Sequence, residues 1–363
     1  MQAPDTLGHP SSARRPGRWL AVTLVLGLAL LASEVLGAQA PASAAPPAVS
    51  VAAQLATLER ASAAVVGIRV DAIQGTLSAE SLGQRRSGTG VLIDDDGLIL
   101  TIGYLLLEAQ IIEVTTSQNR MVPARIVAYD LATGFGLLKP LVPLRDVRPA
   151  TLGSAADVTA GDLLLAGIGS NPQTGGGIGM TQLVSKRAFS GYWEYHIDSA
   201  LFTSPPLPNH SGAPLFNQKG EVIGIGSLFT NDAVGGGPRL AGNMFVPVDL
   251  LKPVLAEMQS TGSTRASRRP WLGLSSSVQE GRVQIVRVNR ESPAAEAGLR
   301  PGDVVLEIDG AKVETLEAFY KQLWAHEAPD AEIELTVQQG EAVRKVRLHA
   351  IDRMKTMRKP EGI

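Results

Sequence analysis

The chain has 363 residues, a formal net charge of −2 and no cysteine. That balance gives no electrostatic footprint for nucleic acid, and without thiols neither disulfides nor thiolate metal sites hold the fold, so burial by the 44% apolar residues must do it. The length suits about two domains of ordinary size.

Arg14, Arg15 and Arg18 precede an apolar run from Trp19 to Ala32, and Ala38-Gln39-Ala40 follows as a small-x-small cleavage site. This is the plan of a secretory signal over residues 1–40, which predicts an exported, periplasmic protein. Glu34 ends the run short of the roughly 20 apolar residues of a spanning helix, so membrane attachment is expected only if the segment stays uncleaved. Residues 41–50, rich in Ala and Pro, read as a tether.

The spacing predicts a short helix over Val51–Ala61, a strand from Ala63, and a polar loop over Asp71–Ser87. From Gly88 to about Leu251, short β-branched runs broken by Gly, Pro and Asp are the pattern of an all-β barrel or sandwich. Candidate strands are Gly90–Asp94, Leu98–Thr101, Ile111–Thr116, Ala124–Ala128, Gly136–Lys139, Asp162–Gly167, Met180–Ser185 and Val222–Ser227, the first two joined at Asp95-Asp96-Gly97. Val248–Met258 has helical spacing. The domain divisions are therefore 51–258, a linker at 259–269, a small α+β module at 270–351 and a basic tail at 352–363. Arg353, Lys355, Arg358 and Lys359 of that tail read as a solvated, frayed terminus.

Gly88 to Thr101, Asp130 to Lys139, His196-Ile197-Asp198-Ser199-Ala200, Asn209 to Leu215 and Gly220 to Ile225 occur in an order that resembles HtrA/DegP-type serine proteases. The resemblance implies a mainly β fold, a chymotrypsin-like double β-barrel followed by a PDZ domain. It also implies a nucleophile at Ser211, within Asn209-His210-Ser211-Gly212-Ala213. Where that family has its catalytic histidine this chain has Tyr104, and where it has the aspartate, in the frame set by Asp130, it has Gly134. Asn209 replaces the glycine that supplies an oxyanion-hole N–H, although Asn tolerates positive φ.

A serine hydroxyl is a poor nucleophile until an oriented base takes its proton. A phenol titrates near pH 10 and is no such base near neutrality. Of the remaining histidines, the resemblance leaves His196 as a substitute, while His210 is expected to point into the barrel. Two readings follow. One is an inactive HtrA-like protein acting as adaptor, scaffold or holdase in envelope protein quality control; the other is a serine endopeptidase using Ser211 with His196.

Arg268 to Leu274 resembles the carboxylate-binding loop of such a PDZ domain, with the N–H groups of Leu272, Gly273 and Leu274 receiving a partner's C-terminus. Leu316, Phe319, Tyr320 and Leu323 form one apolar face of a helix over Thr315–Ala325. By resemblance Leu274, Phe319 and Leu323 receive the last apolar side chain of the partner. Polypeptides or protein C-termini are the expected partners, with a homotrimer or association with an active homologue implied by the family. No cofactor and no metal are expected, since no His/carboxylate spacing suits a metal.

Overall fold

The computed structural model describes residues 51–171 and 175–358. The expected signal over 1–40, the tether over 41–50 and Lys359 lie outside the described residues.

After α1 (Val51–Ala63) the chain enters a closed six-stranded barrel of β1 (Val65–Ala72), β2 (Arg85–Leu92), β3 (Ile99–Ile102), β4 (Ala109–Thr115), β5 (Met121–Tyr129) and β6 (Phe135–Pro140), ordered β1-β2-β3-β6-β5-β4. The turn between β2 and β3 closes because Leu98 N donates to Asp94 Oδ1 at 2.7 Å, an Asx-type turn that fixes the register Val91 opposite Leu100. The loop expected over Asp71–Ser87 contains a helix instead, α2 (Leu77–Leu82). Thr76 caps it by accepting from Ala79 N, and the buried Arg86 guanidinium donates to Ser78 Oγ and Leu107 O at 2.9 and 2.7 Å. That anchor is long-range, so local composition did not reveal it.

A second closed barrel contains β7 (Leu163–Ile168), β8 (Gly177–Gly191), β9 (Tyr195–Ser204), β10 (Pro214–Phe216), β11 (Val222–Thr230) and β12 (Gly242–Pro247), ordered β10-β11-β12-β9-β8-β7. The helix expected over Val248–Met258 breaks into a 3₁₀ turn at Val248–Leu250 and α3 (Leu255–Thr261), capped by Gly262 at φ 79°. Pro253 is the reason: it has no N–H to donate and disfavours helix at Lys252.

The C-terminal module comprises β13 (Pro270–Trp271), β14 (Leu274–Gln279), β15 (Arg282–Val288), α4 (Pro293–Glu296), β16 (Val304–Ile308), β17 (Ala311–Lys312), α5 (Leu316–Leu323), β18 (Glu332–Gln339), β19 (Ala342–His349), β20 (Ile351–Asp352) and α6 (Arg353–Thr356). Its sheet runs β14-β15-β16-β18-β19 with β17 on β16, and β13 pairs with β20. Alternation in β18 turns Ile333, Leu335 and Val337 into the core, where they meet Phe319, Tyr320 and Leu323 of α5. Thr315 caps α5 by accepting from Ala318 N. The barrels and this module belong to one compact unit. The fold is mainly β, a trypsin-like double barrel with a PDZ domain behind it.

Candidate functional site: a capped serine and an occupied carboxylate loop

Ser211 sits in a turn held from two sides. Its carbonyl accepts from Thr89 N of β2 at 2.9 Å, and Gly212 N donates to Gly226 O of β11 at 2.8 Å. Tyr104, on the 3₁₀ turn Gly103–Leu106 after β3, brings its hydroxyl 2.6 Å from Ser211 Oγ and 2.9 Å from Ser227 O. A phenol has one proton for these two acceptors. When it donates to Ser227 O, the Ser211 hydroxyl is left to donate to the phenol oxygen.

Burial pushes the Tyr104 phenol up to about 12, against a smaller opposing effect of the Ser211 hydrogen bond. At pH 7 about one phenol in 10⁵ is then ionised, so Tyr104 satisfies the serine without activating it.

Gly134 has φ +83°, and a Cβ there would lie 3.2 Å from Tyr195 Oη. Tyr195 is held in that place by its own donation to Thr133 O at 2.7 Å and by stacking on Trp193. Asp130 does not stand in for the missing carboxylate, because its oxygens accept from Thr133, Thr264 and Ser267. Asn209 is exposed and is not among the residues with positive φ, so its tolerance for that conformation is not used.

The histidine expectations need correction. His196 is engaged elsewhere: its Nδ1 meets Ser190 Oγ at 2.8 Å and its Nε2 meets Asp198 Oδ1 at 3.2 Å. Among the described residues, Ser211 Oγ has Tyr104 and no imidazole as its partner. His210 is half-buried and lines an open cavity instead of the barrel interior, with Nδ1 3.2 Å from Leu207 O.

His196, Asp198 and Glu317 place three potential metal donors within 4.8 Å, a grouping between β9 and α5 that sequence spacing could not show. Lys321 Nζ already sits there, 3.0 Å from Asp198 and 2.8 Å from Glu317. Its ammonium neutralises the negative charge that these carboxylates would otherwise offer a cation.

In the PDZ domain, Leu272, Leu274, Phe319 and Leu323 are fully or almost fully buried, so none offers open surface to a partner. This corrects the expectation of an apolar pocket ready to receive a side chain. Gly273, at φ +83° with Ser292 Cβ only 2.3 Å from where a Cβ would sit, shapes the loop that aims its neighbouring N–H groups. Those groups already have an acceptor: Leu272 N and Leu274 N donate to Glu194 Oε2 and Oε1 at 3.1 and 2.7 Å.

Glu194 comes from the turn between β8 and β9 of the second barrel and is 3% exposed. Ser276 N of β14 donates to Tyr192 O of the same turn at 2.8 Å. Tyr320 on α5 donates its hydroxyl to Gly191 O at 2.8 Å and accepts from Glu194 N.

Burial pushes the Glu194 carboxyl up to about 7 from its usual 4.5, outweighing the N–H bonds from Leu274 and Leu272 and the nearby Arg353. Arg269, at 3.4 Å from the Glu194 carbonyl, and Tyr320 complete the polar surroundings. The folded form therefore binds more protons than the unfolded one between these values, and this contribution to stability falls as pH rises from 4.5 to 7. The melting temperature of the wild-type chain should accordingly drop across that window more steeply than that of Glu194→Gln. Equal slopes would count against the assignment.

A cavity of about 460 Å³ lies between the barrels and the PDZ domain, walled by Tyr104, His210 and Trp193 on one side and Trp271 and Arg287 on the other. Ser211 does not line it. The tail closes part of the rim: Arg353, Thr356 and Met357 line the cavity, and Arg358 N donates to Glu108 Oε1 at 3.0 Å. Up to Arg358 the tail is thus packed back onto the first barrel, not frayed.

Residues 88–225 match the trypsin-like peptidase domain family and residues 270–349 the PDZ domain family. The chain is 30% identical over 279 residues to a probable periplasmic serine endoprotease DegP-like of Halomonas elongata, covering 72% of this chain and 56% of that protein. It is 27% identical over 255 residues to a putative serine protease HhoB of Synechocystis, covering 64% and 58%. The chain thus spans little more than half the length of these curated relatives. Among solved structures it is similar in fold to HtrA-type protease AlgW with decapeptide, at TM-score 0.51 and 21% identity over 86% of this chain and 100% of that one. Two closed barrels followed by a six-stranded sheet with its capped helix thus carry a trypsin-like peptidase domain and, after it, a PDZ domain, the arrangement in which the chain is similar to proteins of the HtrA/DegP type.

Proposed function

We propose that this chain is an exported, proteolytically inactive HtrA-like protein that binds polypeptides or protein C-termini through its PDZ domain, as adaptor, scaffold or holdase in envelope protein quality control. Its division into a barrel domain at 51–258 and a PDZ domain at 270–351 belongs to the same reading, as do a periplasmic location and assembly as a trimer or with an active homologue. The observation that carries it is the hydrogen bond between Ser211 Oγ and a buried phenol whose proton stays on at physiological pH.

The chemistry leads from that contact to inactivity. Acyl transfer needs a base that takes the serine proton as the oxygen attacks, and a group that holds that base and steadies its positive charge. Tyr104 keeps its proton, and Gly134 has no side chain to orient anything. In a subtilisin-type triad, removing the nucleophile or the base costs on the order of a millionfold in turnover. The endopeptidase reading through His196 loses its support because both imidazole nitrogens are engaged at β8 and β9.

The test is incubation of the purified chain with unfolded casein and with a fluorophosphonate probe, using Ser211→Ala as the blank. Cleavage and labelling should match the blank. Activity that vanishes only in Ser211→Ala would overturn the proposal.

A further inference from the structure

The β8–β9 turn meets the PDZ domain as a bound peptide would. A peptide added as a strand to such a domain gives its terminal carboxylate to the loop N–H groups and pairs its backbone with the edge strand. Here the carboxylate of Glu194 takes the N–H groups of Leu272 and Leu274, and two residues earlier the Tyr192 carbonyl takes Ser276 N of β14. Both elements of recognition are filled from within the chain. Glu194 adopts φ +57°, a conformation uncommon for a residue with a side chain, which the flanking contacts hold in place.

We infer that the turn Gly191–Tyr195 is an internal competitor for the PDZ groove, with Glu194 standing in for a C-terminal carboxylate, so that a partner with a free C-terminus binds by displacing it. The inference rests on the proposed reading of the PDZ domain as a C-terminus binder. An occupied groove lowers apparent affinity by the fraction of chains in which it is free. Displacement has a second consequence, because Tyr192, Trp193 and Tyr195 of the same turn line the interdomain cavity. Binding a C-terminus would therefore open the space beside Tyr104.

Two measurements on the full chain test this, with Glu194→Ala and Tyr320→Phe as variants. Tyr320→Phe leaves the carboxylate in place and removes the hydroxyl that bridges Gly191 and Glu194. The first measurement is amide hydrogen exchange at Leu272, Leu274 and Ser276. The second is retention of a fluorescein-labelled decapeptide pool, randomised at its last three positions and ending in a free carboxylate, with the amidated pool as control.

In Glu194→Ala, which leaves the N–H groups of Leu272 and Leu274 without their acceptor, exchange should accelerate and retention of the free-acid pool should rise, each by about tenfold or more. Tyr320→Phe should move both in the same direction by less, and no form should retain the amidated pool. In the wild-type chain, excess free-acid pool should accelerate exchange at Tyr192 to Tyr195. Unchanged exchange in both variants overturns the internal clamp. Faster exchange with equal retention by wild type and variants overturns the competition. Faster exchange with no retention by any form shows that the PDZ reading itself has failed, and the inference falls with it.

Discussion

Tyr104→His should raise the reactivity of Ser211 toward a small activated ester by about 10- to 100-fold, short of the 10²–10⁴ that a well-placed general base supplies. Adding Gly134→Asp should yield no further gain. Position 104 is already aimed at the serine, since the phenol oxygen lies 2.6 Å from Oγ, but imidazole is shorter and the turn Gly103–Leu106 must shift to bring it into reach. Position 134 resists restoration for two reasons. Its φ of +83° is unfavourable for any residue with a Cβ, at about 1–2 kcal/mol, and that Cβ would lie 3.2 Å from the Tyr195 hydroxyl. Moving Tyr195 aside breaks its bond to Thr133 O and its stacking on Trp193. Hydrolysis of p-nitrophenyl acetate by the single and double variants, read against Ser211→Ala, is the measurement. A double variant more than 10³-fold above wild type would mean that the site retains the geometry of a working triad.

Asp130→Ala should destabilise the chain by about 3–5 kcal/mol, because several buried donors lose their acceptor at about 1–3 kcal/mol each. The carboxylate is fully buried and accepts from Thr133 N, the Thr133 hydroxyl, and the hydroxyls of Thr264 and Ser267. Ser267 Oγ in turn accepts from Leu131 N at 2.7 Å. These bonds tie the loop after β5 to the linker that leads into the PDZ domain. Urea unfolding should show the loss, and limited proteolysis should cut the variant faster near Ser260–Arg269. A change below about 1 kcal/mol would show that water replaces the carboxylate without penalty, contrary to its full burial.

Asp130 also illustrates what could be read in advance. In the sequence it marked the register that identified Gly134; in the structure its partners Thr264 and Ser267 lie far along the chain. The β2–β3 hairpin was legible because Asp94 to Gly97 carry their own turn chemistry. The break at Pro253 has a local cause as well, although helical spacing concealed it. By contrast, α2 depends on Arg86 reaching Leu107, and the tail on Arg358 reaching Glu108, contacts that local periodicity does not encode. Glu194 carried no sequence signal, because a glutamate between aromatic residues in a hairpin turn is by itself ordinary solvent-facing chemistry.

By itself the sequence determined the alternation of strands and turns and the order of the two domains, which are properties of short stretches and their spacing. Its resemblance to HtrA/DegP-type proteases marked Ser211, Tyr104 and Gly134 as the serine, base and orienting positions. The tertiary structure alone decided that Tyr104 meets Ser211 across 107 residues, that His196 is engaged elsewhere, and that Glu194 fills the carboxylate loop. Barrel closure and domain docking bring those groups together, and burial then sets their protonation, raising both the Tyr104 phenol and the Glu194 carboxyl.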